Sequence, residues 1–240
     1  MKGEAGYNYL YRLNCGGDDY TDSFGQLWLQ DNTNYSRSWA ENFKDLNPYL
    51  ASQRTTNDPI RGTRDWTLFQ HFRFGRHQLE YRFPVADGTY RIELYFTEPW
   101  HGTGGSASTD CEGLRIFDVA VNDSVVLDDL DIWAESGHDG VCKKVGYATV
   151  KGGMLKIHFP EVKAGQALIS GIAIASTDQE LKPTIFPASG WSWEKADKEV
   201  MEKTPKELLP EDKNARVSIS YEAEMAVLKG KFQKKEHRKQ

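Results

Sequence analysis

Between Tyr9 and Ser176 the chain falls into short runs in which apolar and polar side chains alternate residue by residue. A period of two puts the two sets on opposite faces of an extended strand, and a helix cannot satisfy it. Gln78-Leu79-Glu80-Tyr81-Arg82-Phe83 alternates throughout, and Thr89 to Phe96 does so after the turn Asp87-Gly88. Phe117 to Val121 and Ser124 to Leu130 are joined by Asn122-Asp123, a pair suited to closing a hairpin. Met154 to Phe159 follows Gly152-Gly153. Leu168 to Ala175 is almost continuously apolar, which predicts one last strand, central and buried on both faces. Many short strands separated by turns predict an all-β fold. The expected architecture is an antiparallel β-sandwich of jelly-roll type over residues 9–176.

Residues 22–66 have no such period. They are rich in Asn, Asp, Ser and Arg, yet carry Trp28, Tyr35, Trp39, Phe43, Tyr49 and Trp66. A long irregular segment with this aromatic content is expected to be ordered and functional. Composition changes again after Ser176. Pro183, Pro187 and Gly190 read as a linker. Trp193 to Leu209 could form one helix, with Ser192 as N-cap and Pro210 as its stop. Residues 177–215 are therefore expected to be a linker with a short helix. Residues 216–240 hold one strand-like run and a basic end, Lys229 to Gln240.

Several function classes are excluded at this level. The formal net charge is −5, which is not the footprint of a nucleic-acid binder. No run approaches the roughly 20 apolar residues that cross a bilayer, so no membrane insertion is expected. The start, MKGEAGYNYLYR, lacks the apolar region of a secretory signal. The chain is then either cytosolic or a piece exported by a signal carried elsewhere. Three cysteines rule out a dense disulfide scaffold. Two free buried thiols are the favoured expectation for Cys111 and Cys142, with pairing as the alternative in an exported protein.

Glycoside hydrolysis needs two carboxylates roughly 5 to 10 Å apart across a cleft. Glu98, Asp110 and Asp118 are candidates by count, but turn formation and local hydrogen bonding are the expected roles of the Asp clusters. His71 with His77, or His101 with Cys111, His138 and Cys142, lack structural-zinc spacing. No cofactor is expected. The clustered Asp residues, with backbone carbonyls, admit at most a structural calcium.

Taken together and in order, several segments resemble the malectin-like domain family. They are Tyr11 to Gly17, Tyr20-Thr21-Asp22 with Gly25 to Asp31, Leu68-Phe69-Gln70 with Arg73-Phe74 as the family's next strand and aromatic loop, Tyr95-Phe96-Thr97-Glu98, Arg115 to Asn122, Asp129 to Ile132, and Ala164-Gly165-Gln166 leading into Leu168-Ile169-Ser170. Each motif alone is weak; the ordered series is specific. A finer likeness lies in Asp58-Pro59-Ile60-Arg61-Gly62-Thr63, in Glu98 to Gly105 and in Asp131-Ile132-Trp133 with Gly137-His138-Asp139-Gly140. These look like malectin modules near the C-terminus of bacterial family 2 glycoside hydrolases, the β-galactosidase and β-glucuronidase group. Tyr221-Glu222-Ala223-Glu224 looks like the start of a further carbohydrate-binding sandwich, truncated here; a disordered tail is the other expectation for 216–240.

The resemblance implies a non-catalytic carbohydrate-binding module of a larger secreted glycosidase. Its partners would be an oligo- or polysaccharide and the parent's catalytic domain. Its location would be the periplasm or cell exterior, by way of the parent's signal. It also implies ring-stacking on the apolar face of a sugar by loop aromatics. By position these are Trp100 with His101, then Phe74, with Tyr35 or Trp39 supplying a further ring and Glu98 beside them. His101 departs from the family's second aromatic, and Lys163 to Gln166 offers no match for its acidic ligand contact. The alternative is a structural module whose aromatics in 22–66 pack against the parent enzyme and bind no sugar.

Overall fold

The computed structural model describes residues 1–31, 35–37, 52–76, 79–102 and 110–183. Its elements run β1 (Asn8–Asn14), β2 (Tyr20–Thr21), β3 (Leu27–Gln30), β4 (Ser36–Arg37), β5 (Gln53–Thr55), α1 (Trp66–Gln70), β6 (His71–Gly75), β7 (Glu80–Pro84) and β8 (Gly88–Phe96). They continue with β9 (Ile116–Val121), β10 (Ser124–Leu130), α2 (Ile132–Ser136), β11 (Cys142–Val150), β12 (Met154–His158), β13 (Val162–Ala164), β14 (Ala167–Ile169) and β15 (Gly171–Ser176). Met1–Ala188 forms one compact unit; the other, Ser189–Gln240, lies outside the described residues. So do all the expectations placed beyond Pro183.

The strands form an all-β sandwich, as the alternation predicts. One sheet has the order β11-β8-β15-β1-β3-β2. The facing sheet runs β10-β9-β12-β7-β4, with β13 added to β9, and a third pairs β14, β6 and β5. Among the described residues every strand pairing is antiparallel except β1 with β3. Asn122, in the hairpin turn, takes φ 51°, a left-handed conformation that Asn tolerates well.

Period two explains the main core. Tyr90, Ile92, Leu94 and Phe96 point inward from β8, with Ile172 and Ile174 from β15. They meet Phe83, Phe117, Val119, Val121, Leu155 and Ile157 from the other sheet. A second cluster lies on the reverse face of the first sheet. There Tyr95 and Ala173 pack under Trp28, Ile60, Leu68 and Phe69. Trp28 and Phe69 both meet Tyr95 edge-on, with centroids 5.3 and 6.1 Å away. The described parts of the irregular segment thus cover a sheet face that is polar in many sandwiches. It also contains the short strands β3 to β5. Trp39, Phe43 and Tyr49 lie outside the described residues.

Three expectations need correction. The last strand is two strands, divided at Ser170. Its N–H donates to Tyr95 and its carbonyl accepts from Cys15, so the chain passes there from the third sheet into the first. A Cβ on the adjoining Gly171 would lie 3.1 Å from Leu68 and 3.4 Å from Trp28. Second, Leu68-Phe69-Gln70 is helical within α1 rather than extended. One turn of helix is too short to show a 3.6-residue period. Third, β11 spans nine residues that the alternation did not single out. Cys15, Cys111 and Cys142 are free and buried. Burial pushes the Cys15 thiol well up and that of Cys142 to about 11, so both are unreactive in the folded state.

Candidate functional site

The site is built where β8 ends. Strand pairing with β11 and β15 carries the chain as far as Phe96. Thr97 and Glu98 then continue inside the protein, both fully buried. Glu98 Oε1 accepts the backbone N–H of Trp100 at 3.0 Å and of His101 at 3.1 Å. The other side of the carboxylate is met by Arg115, whose Nε donates to Oε2 and whose Nη2 donates to Oε1 at 3.2 Å. Arg115 also donates to the carbonyl of Gln166. A buried charge is tolerated only when paired and hydrogen-bonded, and Glu98 has both forms of support. Its carboxylate shapes the turn from beneath and is closed to solvent.

Trp100 stands on that turn. The residue is 40% exposed. Phe72 and Phe74 of β6 both meet it edge-on, each with centroids 5.5 Å away. The Arg115 guanidinium carbon lies over the ring at 5.1 Å. One salt bridge therefore fixes both the backbone and the ring, leaving part of an aromatic surface open to solvent. His101 is half-buried beside it. Gly102 has φ +87°, and a Cβ there would come within 2.7 Å of Trp133 Nε1 and 3.3 Å of His138 Cβ. The turn thus packs against α2 and the segment after it.

That segment is tied to the same strand end. Asp139 N–H donates to the Glu98 carbonyl, and Arg61 donates from its side chain to the carbonyls of Ser136 and His138. Burial pushes the Asp139 carboxyl up. His138 opposes this, Asp58 adds to it, Arg61 opposes it and Glu98 adds again. Trp133 Nε1, His138 Nδ1 and Asp139 Oδ1 are buried and make no hydrogen bond among the described residues.

The sequence-derived candidates are therefore divided by depth. Trp100 and His101 sit at the surface of the turn. Phe74 is buried and braces Trp100 from behind, with Arg54 over its own ring at 5.2 Å. Glu98 is buried beneath the turn. Tyr35 is half-buried, stacked on Phe83 with centroids 5.6 Å apart and edge-on to Tyr11 at 6.1 Å. Its ring belongs to the packing of the main core. Trp39 lies outside the described residues. Sequence reasoning missed Arg115, Phe72 and Trp133 as parts of this group. A buried Glu at a strand end calls for a cationic partner, but nothing local says which Arg supplies it.

Of the carboxylates counted for hydrolysis, Glu98 is closed off, and the buried Asp118 accepts the N–H of Asp129. Asp131 caps α2 by accepting from Ala134 and also accepts from Gly113. Those Asp residues have the local hydrogen-bonding roles expected of them. Among the described residues no helix is long and apolar enough to cross a membrane.

The chain is similar to several known proteins. The chain is 25% identical to malectin of Danio rerio over 150 residues, which are 62% of this chain and 47% of that protein. It spans about half the length of the curated relatives it matches. Among solved structures it resembles a β-glucuronidase of Bacteroides uniformis, with TM-score 0.55 and 24% identity over 68% of this chain and 18% of the other. It also resembles the ANX2 ectodomain of Arabidopsis thaliana, with TM-score 0.55 and 17% identity over 75% and 51%. The model of the malectin domain matches residues 9–181, and the chain belongs to that family of carbohydrate-binding domains.

Proposed function

We propose that this domain holds an oligo- or polysaccharide on the Trp100 turn, without cleaving it, as one module of a larger secreted glycosidase. The observation that carries this reading is the state of Trp100. The residue is part-exposed, yet Phe72, Phe74 and Arg115 hold it and Glu98 anchors its backbone. A ring placed in advance loses little freedom when a sugar stacks on it. His101, half-buried beside the ring, offers a polar contact for a hydroxyl group. Phe74 and Glu98 act through Trp100, as supports.

The link to a glycosidase draws support from the occurrence of this fold inside a β-glucuronidase chain. In this reading the catalytic domain supplies bond cleavage, and the module raises the local substrate concentration by tethering. Residues 9–176 are the binding domain, and 177–215 link it to a neighbouring module. Export to the periplasm or cell exterior comes from the parent's signal.

A glycan array on the intact chain, with calorimetry on the best ligand, tests the proposal. Trp100→Ala should weaken binding about tenfold or more, or on the order of 1 to 3 kcal/mol for a stacked ring. Affinity unchanged in that variant would remove the basis of the reading, as would a wild-type chain that binds no glycan.

One observation favours a second, structural reading. Phe24, Leu27, Leu29 and Trp66 are exposed apolar side chains, and Ser23 N–H donates to Asp65, which brings the Phe24 turn beside α1. An apolar patch of this kind suits docking against another domain. Trp66→Ser should then weaken association with the parent's catalytic domain and leave glycan binding intact.

A further inference from the structure

Among the described residues, two groups of acidic or imidazole side chains lie close enough to share an ion, and their surroundings differ. Asp118, Asp128 and Asp129 form one. There the Lys163 ammonium already sits on Asp129, and Asp118 accepts the Asp129 N–H. That group has its cation. Asp58, His138 and Asp139 form the other, with one ligand atom from each within 4.8 Å of the rest.

This second group has an unmet need. Asp139 is only 6% exposed. Its Oδ2 lies 2.9 Å from His138 Nε2, while Oδ1 is buried without any hydrogen-bond donor among the described residues. Leaving a buried carboxylate oxygen unmatched is costly, and a cation is the partner that answers it. The Arg61 guanidinium is close but is directed to the carbonyls of Ser136 and His138. Asp58 is exposed, so an ion could enter from that side.

The donor set selects the class of ion. One imidazole nitrogen and two carboxylate oxygens suit zinc and its transition-metal neighbours. Calcium and magnesium favour oxygen donors throughout, and in greater number. Three protein ligands leave a fourth tetrahedral position for water. We propose that Asp58, His138 and Asp139 bind a divalent transition-metal ion of the zinc type. The ligands come from segments about 80 residues apart in sequence, so motif spacing cannot reveal them.

The ion would join the loop after β5 to the segment after α2. That segment bears directly on the sugar-facing turn through the parallel bridge between Glu98 and His138. The proposal does not rest on carbohydrate binding and is tested without any sugar.

The intact chain, stripped with a chelator, is titrated with zinc by calorimetry while the ¹⁵N shifts of its imidazoles are monitored. One ion per chain should bind, with His138 the imidazole that moves. Asp58→Asn and Asp139→Asn should each weaken binding by about tenfold or more, as even outer-sphere losses do. Asp128→Asn, in the other acidic group, should change nothing. Asp58 is exposed, so its variant keeps the test sound if Asp139→Asn fails to fold. Three results overturn the proposal: no uptake by the wild-type chain, unchanged uptake in Asp58→Asn, or equal loss in Asp128→Asn. Calcium binding as tightly as zinc without moving His138 overturns the assigned class of ion.

Discussion

Two buried glutamates five residues apart on one stretch of chain do different work. Glu93, in the middle of β8, lies on the reverse face of the first sheet. Four side chains reach it: Tyr9, Tyr95, Arg91 and Lys143. They come from β1, β8 and β11, so the carboxylate binds neighbouring strands together. Glu98, past the strand end, accepts from Arg115 and from two backbone N–H groups of the turn. Its partners fix a local shape, and the shape presents a ring. The same group, equally buried, stabilises a sheet in one place and positions a surface side chain in the other. What surrounds the carboxylate, side chains or main chain, decides which.

The largest expected effect comes from the Glu98 end. Arg115→Ala leaves a buried carboxylate without its counter-charge and should cost about 3 to 5 kcal/mol, measured by urea unfolding. Replacing both partners, as Arg115→Met with Glu98→Leu, should recover most of that stability, since apolar substitutes for a buried pair are often neutral. It should not recover glycan affinity, because the turn loses its anchor. Recovery of both would break the contrast drawn between the two carboxylates.

Next in size is the response of Glu93 to acid. Burial raises its pKa, but hydrogen bonds from Lys143, Tyr95, Arg91 and Tyr9 outweigh burial and bring it to about 2. The folded value is below the unfolded one, so the stabilisation is present above the ordinary carboxylate range. It is lost as pH falls from about 4.5 towards 2, an effect of up to about 3 kcal/mol. Glu93→Gln should flatten this part of the stability profile, as tracked by denaturant midpoints between pH 2 and 6. An unchanged acid limb in the variant would separate Glu93 from the sheet's acid sensitivity. Smallest is Tyr9→Phe, which deletes one of four donors and should cost about 1 kcal/mol. Glycan affinity should stay as in the wild type, since Tyr9 serves the sheet and not the turn.

Much of the sandwich was legible because period two is a strong signal wherever one face is apolar. It failed at β11 for a physical reason. Along that edge strand Val145 and Tyr147 point to solvent, so its alternation does not mark a core face. The division at Ser170 was hidden because both halves are equally apolar and equally buried, although they lie in different sheets. Trp100 was legible as an aromatic ring between Pro99 and a glycine-rich loop. Its supports were not: Arg115 and Phe72 reach it only through tertiary packing, and a single sequence holds no record of such distant pairings. Phe74 was read as a ring for the ligand, whereas depth in the fold makes it a brace.

The position of β15 bears on how the chain is made. The first sheet places it between β1 and β8, with Asn8 opposite Ser176. As the polypeptide emerges from the ribosome, the earliest strand waits through the synthesis of nearly the whole domain for its antiparallel neighbour. Until then β1 and β8 face an open slot one strand wide, and open strand edges invite other chains. Such long-range closure makes folding slow. A chain cut short before Gly171 would be a target for chaperones or aggregation, whereas one released after Ser176 could close the sheet.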